Sequence, residues 1–173
     1  MSGQVDANSE GRCESAASLI DRAREVATEA HFGQFDKAGV AYITHPARVA
    51  ERVRGDEAAE IVAWLHDVIE DTQITLADLA DYFPPFIVEA VDAMSRRSTE
   101  EPELYYRRVR ANAIARAVKL ADIADNSDPE RRAALDKATQ ERLDSKYQHA
   151  LQCLGARLPA LSPSSACSHW AIG

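Results

Sequence analysis

Ile61-Val-Ala-Trp-Leu-His66-Asp67-Val-Ile-Glu70-Asp71 sets four ionisable side chains inside a segment that is otherwise fit for a protein core. Read as a helix, Ala58, Ile61, Val62, Leu65, Val68 and Ile69 recur at three- and four-residue steps and form a broad apolar stripe. His66 falls one turn after Val62, and Glu70 follows His66 by four residues and Asp67 by three, so the three converge at the edge of that stripe. Placing carboxylates there is costly without a partner. A divalent cation is an economical one, because neutral imidazole and carboxylate oxygen are both good ligands and the ion cancels the negative charge.

The rest of the chain supplies scaffold and further ligands. With 173 residues, 46% hydrophobic, 28% charged and only 7 glycines, the composition predicts one soluble, helix-rich domain. Leu19, Ala23, Val26, Ala27 and Ala30 predict an amphipathic helix from about Cys13 to His31. The run from His31 to His45 lacks a helical period and reads as a loop. Pro46 suits a first helical position, which puts His45 at the cap of a helix running through Val49 and Val53. Gly55-Asp56 ends that helix and caps the central one, which is expected to stop near Thr72. Thr75-Leu-Ala-Asp78 predicts a capping box, Pro84-Pro85 a break, and Phe86 to Met94 a further helix. Ser95 to Glu101 reads as a charged loop, after which Ile114 to Ala124 is strongly apolar with Asp122 on the face of Val118. Ser127-Asp128-Pro129-Glu130 starts a long helix expected to reach about Leu158, with Leu135, Leu143, Tyr147, Leu151 and Leu154 inward. Residues 1–12 and 159–173 read as flexible tails around a domain at 13–158. The expected fold is all-α, a single bundle of about seven helices.

Charge and cysteine content bound the partners. Lys and Arg total 20 against 28 Asp and Glu, a formal charge of −8, which argues against sequence-independent nucleic-acid binding. It leaves room for a small phosphorylated ligand at a locally positive site. Cys13, Cys153 and Cys167 are odd in number and show no Cys-x-x-Cys spacing, which fits a reducing compartment. No apolar run reaches membrane-span length and the N-terminus has no basic-then-apolar leader pattern, so a cytoplasmic setting is expected. His45, His66, Asp67 and Asp122 together make a two-nitrogen, two-oxygen set. Such a set leaves positions open on a metal that accepts five or six ligands.

The ordered segments Thr44-His45-Pro46, Leu65-His66-Asp67-Val-Ile-Glu70-Asp71 and Val118-Lys-Leu-Ala-Asp122-Ile-Ala-Asp-Asn126 resemble those of the HD-domain phosphohydrolases. The His-Asp-x-x-Glu-Asp form is similar to the hydrolase domain of the RelA/SpoT alarmone enzymes, and as a stand-alone unit to the small alarmone hydrolases, over about Leu19 to Leu154. The resemblance implies an all-α HD-domain bundle in which His45, His66, Asp67 and Asp122 hold one manganese ion and Glu70 and Asp71 are the catalytic carboxylates. It implies guanosine tetra- or pentaphosphate as substrate, losing its 3′-pyrophosphate, with Lys37, Asn126 and Tyr147 at substrate-side positions. His31 reads as an orienting or packing residue, and His149 and His169 as incidental. The family loop usually presents Arg-Lys where this chain has Asp36-Lys37. Two other readings therefore stand beside the first: an HD-domain phosphatase acting on a nucleoside monophosphate, a nicotinamide dinucleotide phosphate or a similar nucleotide, and a non-catalytic nucleotide-binding module. The sequence leaves the oligomeric state open, a homodimer included.

Overall fold

The structure is a computed structural model and describes residues 16–36, 39–133 and 135–156. The stretches read as flexible tails, Cys13, Lys37, Leu158 and His169 lie outside the described residues. The described residues fold into helices joined by turns, without a strand; one isolated antiparallel bridge pairs Phe35 with Ala41. The all-α expectation is met.

The core is built around α3 (Glu57–Leu65), whose Ala59, Ile61, Val62, Ala63 and Leu65 are all buried. A helix apolar on most of its surface must be enclosed by others, and each large side chain so buried contributes about 2 kcal/mol. The enclosing helices are α1 (Ala16–Ala30), α2 (Thr44–Arg52), α6 (Pro85–Met94) and α8 (Ala113–Asn126), all packed directly on α3. Alanine lets α1 approach closely: Ala23 and Ala27 are fully buried. The outer helix α7 (Pro102–Ala111) packs on α6 and α8, and the last helix, α10 (Lys137–Cys153), packs on α7.

Local signals set the boundaries. Asp56 accepts the Ala59 amide at the start of α3, after Gly55 turns the chain at φ 99°. Thr75 and Asp78 form a full capping box on α5 (Leu76–Ala80), and Asn112 accepts the Ala115 amide at the start of α8. Pro85 and Pro102 occupy first-turn positions of α6 and α7, where a missing N–H costs no helix bond.

Three expectations are corrected. The central helix does not run to Thr72: α3 ends at Leu65, His66 and Asp67 form a turn, and a single turn of helix, α4 (Val68–Asp71), follows. The cause is local. His66 Nδ1 donates to the Ala63 carbonyl at 2.7 Å, competing for the oxygen that a continuing helix would offer to the Asp67 amide. His45 is not the cap of α2 but its second residue, behind Ile43 and Thr44, so Pro46 stands third, still among the N–H groups that lack an intrahelical partner. The long final helix is two, α9 (Pro129–Ala133) and α10, because Asp136 caps a fresh start by accepting the Thr139 amide at 2.9 Å.

Candidate metal centre

Two helices and one turn converge beside the end of α3. His45 comes from α2, His66 and Asp67 from the turn after α3, and Asp122 from the buried face of α8. Ligating atoms of His45, His66 and Asp122 all lie within 4.8 Å of one another, and all three residues are buried. His45 Nε2 is 3.2 Å from Asp122 Oδ1 and 3.7 Å from Asp67 Oδ2, and His66 Nε2 is 3.1 Å from the same Asp67 oxygen. The four residues singled out as ligands in the sequence are thus brought together.

Their second nitrogens explain the orientation. Both Nδ1 atoms are engaged, His66 on the Ala63 carbonyl and His45 on Asp125 at 2.9 Å, so both rings turn Nε2 toward the cluster. His66 Nε2 is buried and has no aligned hydrogen-bond partner despite its proximity to Asp67. A buried nitrogen aimed at a carboxylate without bonding to it is what a ligand looks like beside a cation site, and the imidazole and carboxylate donors fit a divalent ion.

Charge is balanced without the ion by internal pairing. Burial pulls His45 down, but its bonds to Asp122 and Asp125 outweigh that and lift it to about 9. Burial would raise Asp122, yet Lys119 and the His45 bond hold it well below the usual carboxylate range; Asp67 is held low against burial chiefly by His66. Lys119 Nζ lies 2.8 Å from Asp122 Oδ2, and Asn126 Nδ2 donates to Asp122 Oδ1 at 2.6 Å.

The paired carboxylates sit at the rim. Glu70 is exposed, and its Oε1 accepts the Arg96 amide at 2.8 Å. Partial enclosure of the carboxyl pushes Glu70 up, the Arg96 bond opposes this, and the Asp67 charge adds to it. Asp71 Oδ2 is 3.3 Å from the Tyr42 hydroxyl, which donates to Asp67 Oδ2 at 2.6 Å. Gln34 donates to the Asp71 carbonyl, and His31 Nδ1 bonds Gln34 Oε1, with its ring 4.9 Å from that of Tyr42. His31 is buried.

The proposed substrate-side residues divide. Asn126 is engaged on Asp122, and Tyr147 is partly buried against the core. Asp36 does not point freely toward the site: it accepts the Val40 amide at 3.0 Å and lies 3.7 Å from Arg131. His149 contacts Cys153 and Glu103 rather than the four-residue cluster. Reading the residues alone missed Tyr42, Lys119 and Asp125 as parts of the site. The available signal was spacing: Lys119 and Asp125 each stand three residues from Asp122, and Tyr42 three from His45.

The chain is similar to known proteins. The chain is 35% identical over 136 aligned residues to the guanosine-3′,5′-bis(diphosphate) 3′-pyrophosphohydrolase of Haemophilus influenzae, covering 67% of this chain and 20% of that protein. An Aquifex aeolicus protein of the same name is 32% identical over 120 residues, covering 65% and 17%. The chain thus spans a fifth or less of the length of these curated relatives. A solved structure, described as a metazoan ortholog of SpoT that hydrolyzes ppGpp and plays a role in starvation responses, superposes with a TM-score of 0.63 at 26% identity, covering 79% of this chain and 85% of that one. A family model described as HD domain matches residues 23–137, a span that holds His45, the His66-Asp67 pair and Asp122 alike, and the chain belongs to the HD-domain family.

Proposed function

We propose that this chain is a metal-dependent phosphohydrolase that removes the 3′-pyrophosphate from guanosine tetra- or pentaphosphate, with residues 13–158 as the catalytic unit working in the cytoplasm. The observation that carries the reading is the approach of His45, His66 and Asp122 ligating atoms to within 4.8 Å of one another, with Asp67 Oδ2 3.1 Å from the buried His66 Nε2. The activity for which the relatives are named supports the substrate class.

His45, His66, Asp67 and Asp122 would hold one manganese ion. When bound, the ion supplies Lewis-acid polarisation of a phosphoryl oxygen and activation of water. Glu70 takes the proton of the attacking water: its Oε1 is fixed on the Arg96 amide, which leaves Oε2 to accept, and a raised carboxyl is a better proton acceptor near neutral pH. Asp71, tied to Asp67 through Tyr42, orients that water. Asn126 and Lys119 hold Asp122 in place.

The polyphosphate would be met by Lys146, beside Tyr147. Partial desolvation of its ammonium pulls Lys146 below its ordinary value and Lys119 adds to this, Asp122 opposes it, and Arg96 and Arg142 lower it further. A cation so depressed is favoured by a polyanion that binds beside it. Tyr147, whose ring lies beside Lys146, and Lys37 stand on the substrate side of this reading.

The test is product analysis on manganese-loaded protein with guanosine tetraphosphate, its adenosine counterpart, a nicotinamide dinucleotide phosphate and simple monophosphates, with Asp67→Ala as control. Pyrophosphate released from the guanosine compound and abolished by Asp67→Ala is the expected result. Orthophosphate from another nucleotide, with the guanosine compound untouched, would replace the substrate; no turnover on any would replace the enzyme with a binding module.

A further inference from the structure

The two histidines are supported in different ways. His66 rests on a neutral backbone carbonyl, whereas His45 rests on Asp125, a fully buried carboxylate from a helix remote in sequence. Asp125 is itself gripped. Arg48 donates Nε to Asp125 Oδ1 at 2.9 Å and a terminal nitrogen to Oδ2 at 3.1 Å, while Arg52 and Arg131 stand 3.7 and 3.8 Å from its oxygens. The pattern follows helix geometry. His45, Arg48 and Arg52 share one face of α2, and Asp122 and Asp125 share the facing side of α8, with Asp128 just beyond its end. Packing α2 on α8 sets each basic group against an acid: His45 against Asp122 and Asp125, Arg48 against Asp125, and Arg52 against Asp125 and Asp128.

We propose that Asp125 is a positioning residue that acts through His45, and that Arg48 fixes Asp125 for this task. This rests on the reading that the four-residue cluster holds a divalent cation. By accepting the Nδ1 proton, Asp125 leaves the Nε2 lone pair as the free donor of His45 and prevents the ring from rotating. A charged acceptor also strengthens the imidazole as a ligand more than a carbonyl does. Asp125 touches no reacting atom. The bidentate Arg48 fork sets the plane of the carboxylate, and with it the direction from which His45 is held.

A structural ion pair alone would predict changes in stability without a change confined to one ligand, so the test reads His45 separately from His66. Manganese affinity is measured by titration of the free-ion electron spin resonance signal for wild type, Asp125→Asn and Arg48→Gln. Cobalt-loaded samples of the same proteins are then examined by proton NMR for the exchangeable ring N–H of each ligand histidine. Asp125→Asn is expected to weaken manganese binding about 10–100-fold. It is also expected to lose or speed the exchange of the His45 ring proton while the His66 signal, held by Ala63, stays as in wild type. Arg48→Gln shifts both readings the same way by a smaller amount. Wild-type affinity with both ring protons unchanged in Asp125→Asn overturns the proposal; if that variant does not fold, unchanged affinity and ring protons in Arg48→Gln overturn it. A wild-type protein that takes up neither metal fails one step earlier, removing the cation reading and this proposal with it.

Discussion

Tyr42 donates its hydroxyl to Asp67 across 2.6 Å, and the same hydroxyl lies 3.3 Å from Asp71, so one phenol connects a proposed metal ligand to a proposed catalytic carboxylate. Burial raises the Tyr42 pKa, and the nearby Asp67 charge raises it further, so the phenol stays protonated and the donation persists across the ordinary pH range. Tyr42→Phe removes the donor and keeps the ring against His31. The expected cost is about 1 kcal/mol of stability, and manganese binding weaker by roughly tenfold because Asp67 loses its orientation. Thermal unfolding and manganese titration on the same preparation check both.

The proposed ligands and the proposed proton acceptor are expected to differ in what they do to metal content. His66→Ala and Asp67→Ala are expected to lose bound manganese and turnover together. Glu70→Gln keeps the Arg96 contact available and leaves the four ligands intact, so metal content stays at the wild-type level while turnover falls by about 10²–10⁴. Metal analysis alongside kinetics separates the two classes; a fully active Asp67→Ala protein would rule out the proposed site.

What was legible in the sequence was periodic or local. The apolar spacing of Ile61, Val62 and Leu65, the Asp56 cap and the Thr75/Asp78 box each depend on neighbours within a turn, and each stands as read. The break after Leu65 was hidden because it depends on where the His66 ring turns, which the apolar pattern on either side does not record. The start of α10 went unread although Asp136 stands three residues before Thr139, whose amide it accepts, because the inward leucines on either side were joined into one helix. In the site, the candidate ligand residues were visible as residue types in segments, but Asp125 and Tyr42 contact partners 80 and 25 positions away, and these contacts arise only when the chain packs.

The metal-free protein should lose stability with rising pH in a defined window. His45 is lifted to about 9, above the value near 6.5 expected in the unfolded chain, so the protonated ring stabilises the fold fully below about pH 6.5. That contribution, about 3 kcal/mol at most, is lost as pH rises through 9. Manganese must displace the same proton, so its affinity should climb toward pH 9 and then level. Urea unfolding at pH 6, 7.5 and 9 should show chelator-treated protein weakening across the series, with manganese-loaded protein holding. Equal slopes for the two forms would contradict the assignment of His45 as a ligand.

Asp36 offers the last test, because its charge and its structure make opposite predictions. A carboxylate in the loop that enters the site would repel a polyphosphate, and removing it would then lower KM. The structure gives it other work. Asp36 Oδ1 accepts the Val40 amide, its own amide donates to the Val40 carbonyl at 2.8 Å, and Arg131 stands 3.7 Å from Oδ2. Gly39 completes the turn at φ 78°, a conformation other residues rarely adopt. Asp36 therefore closes the turn next to Gln34 and Tyr42, which reach the site from the same loop. Asp36→Ala is expected to loosen that turn by about 1 kcal/mol and to raise KM several-fold with kcat less affected. Asp36→Asn keeps an oxygen for Val40 and discards the charge, so it should stay near wild type if the turn is what matters. A lower KM in both variants would mean that the charge, rather than the turn, governs substrate entry.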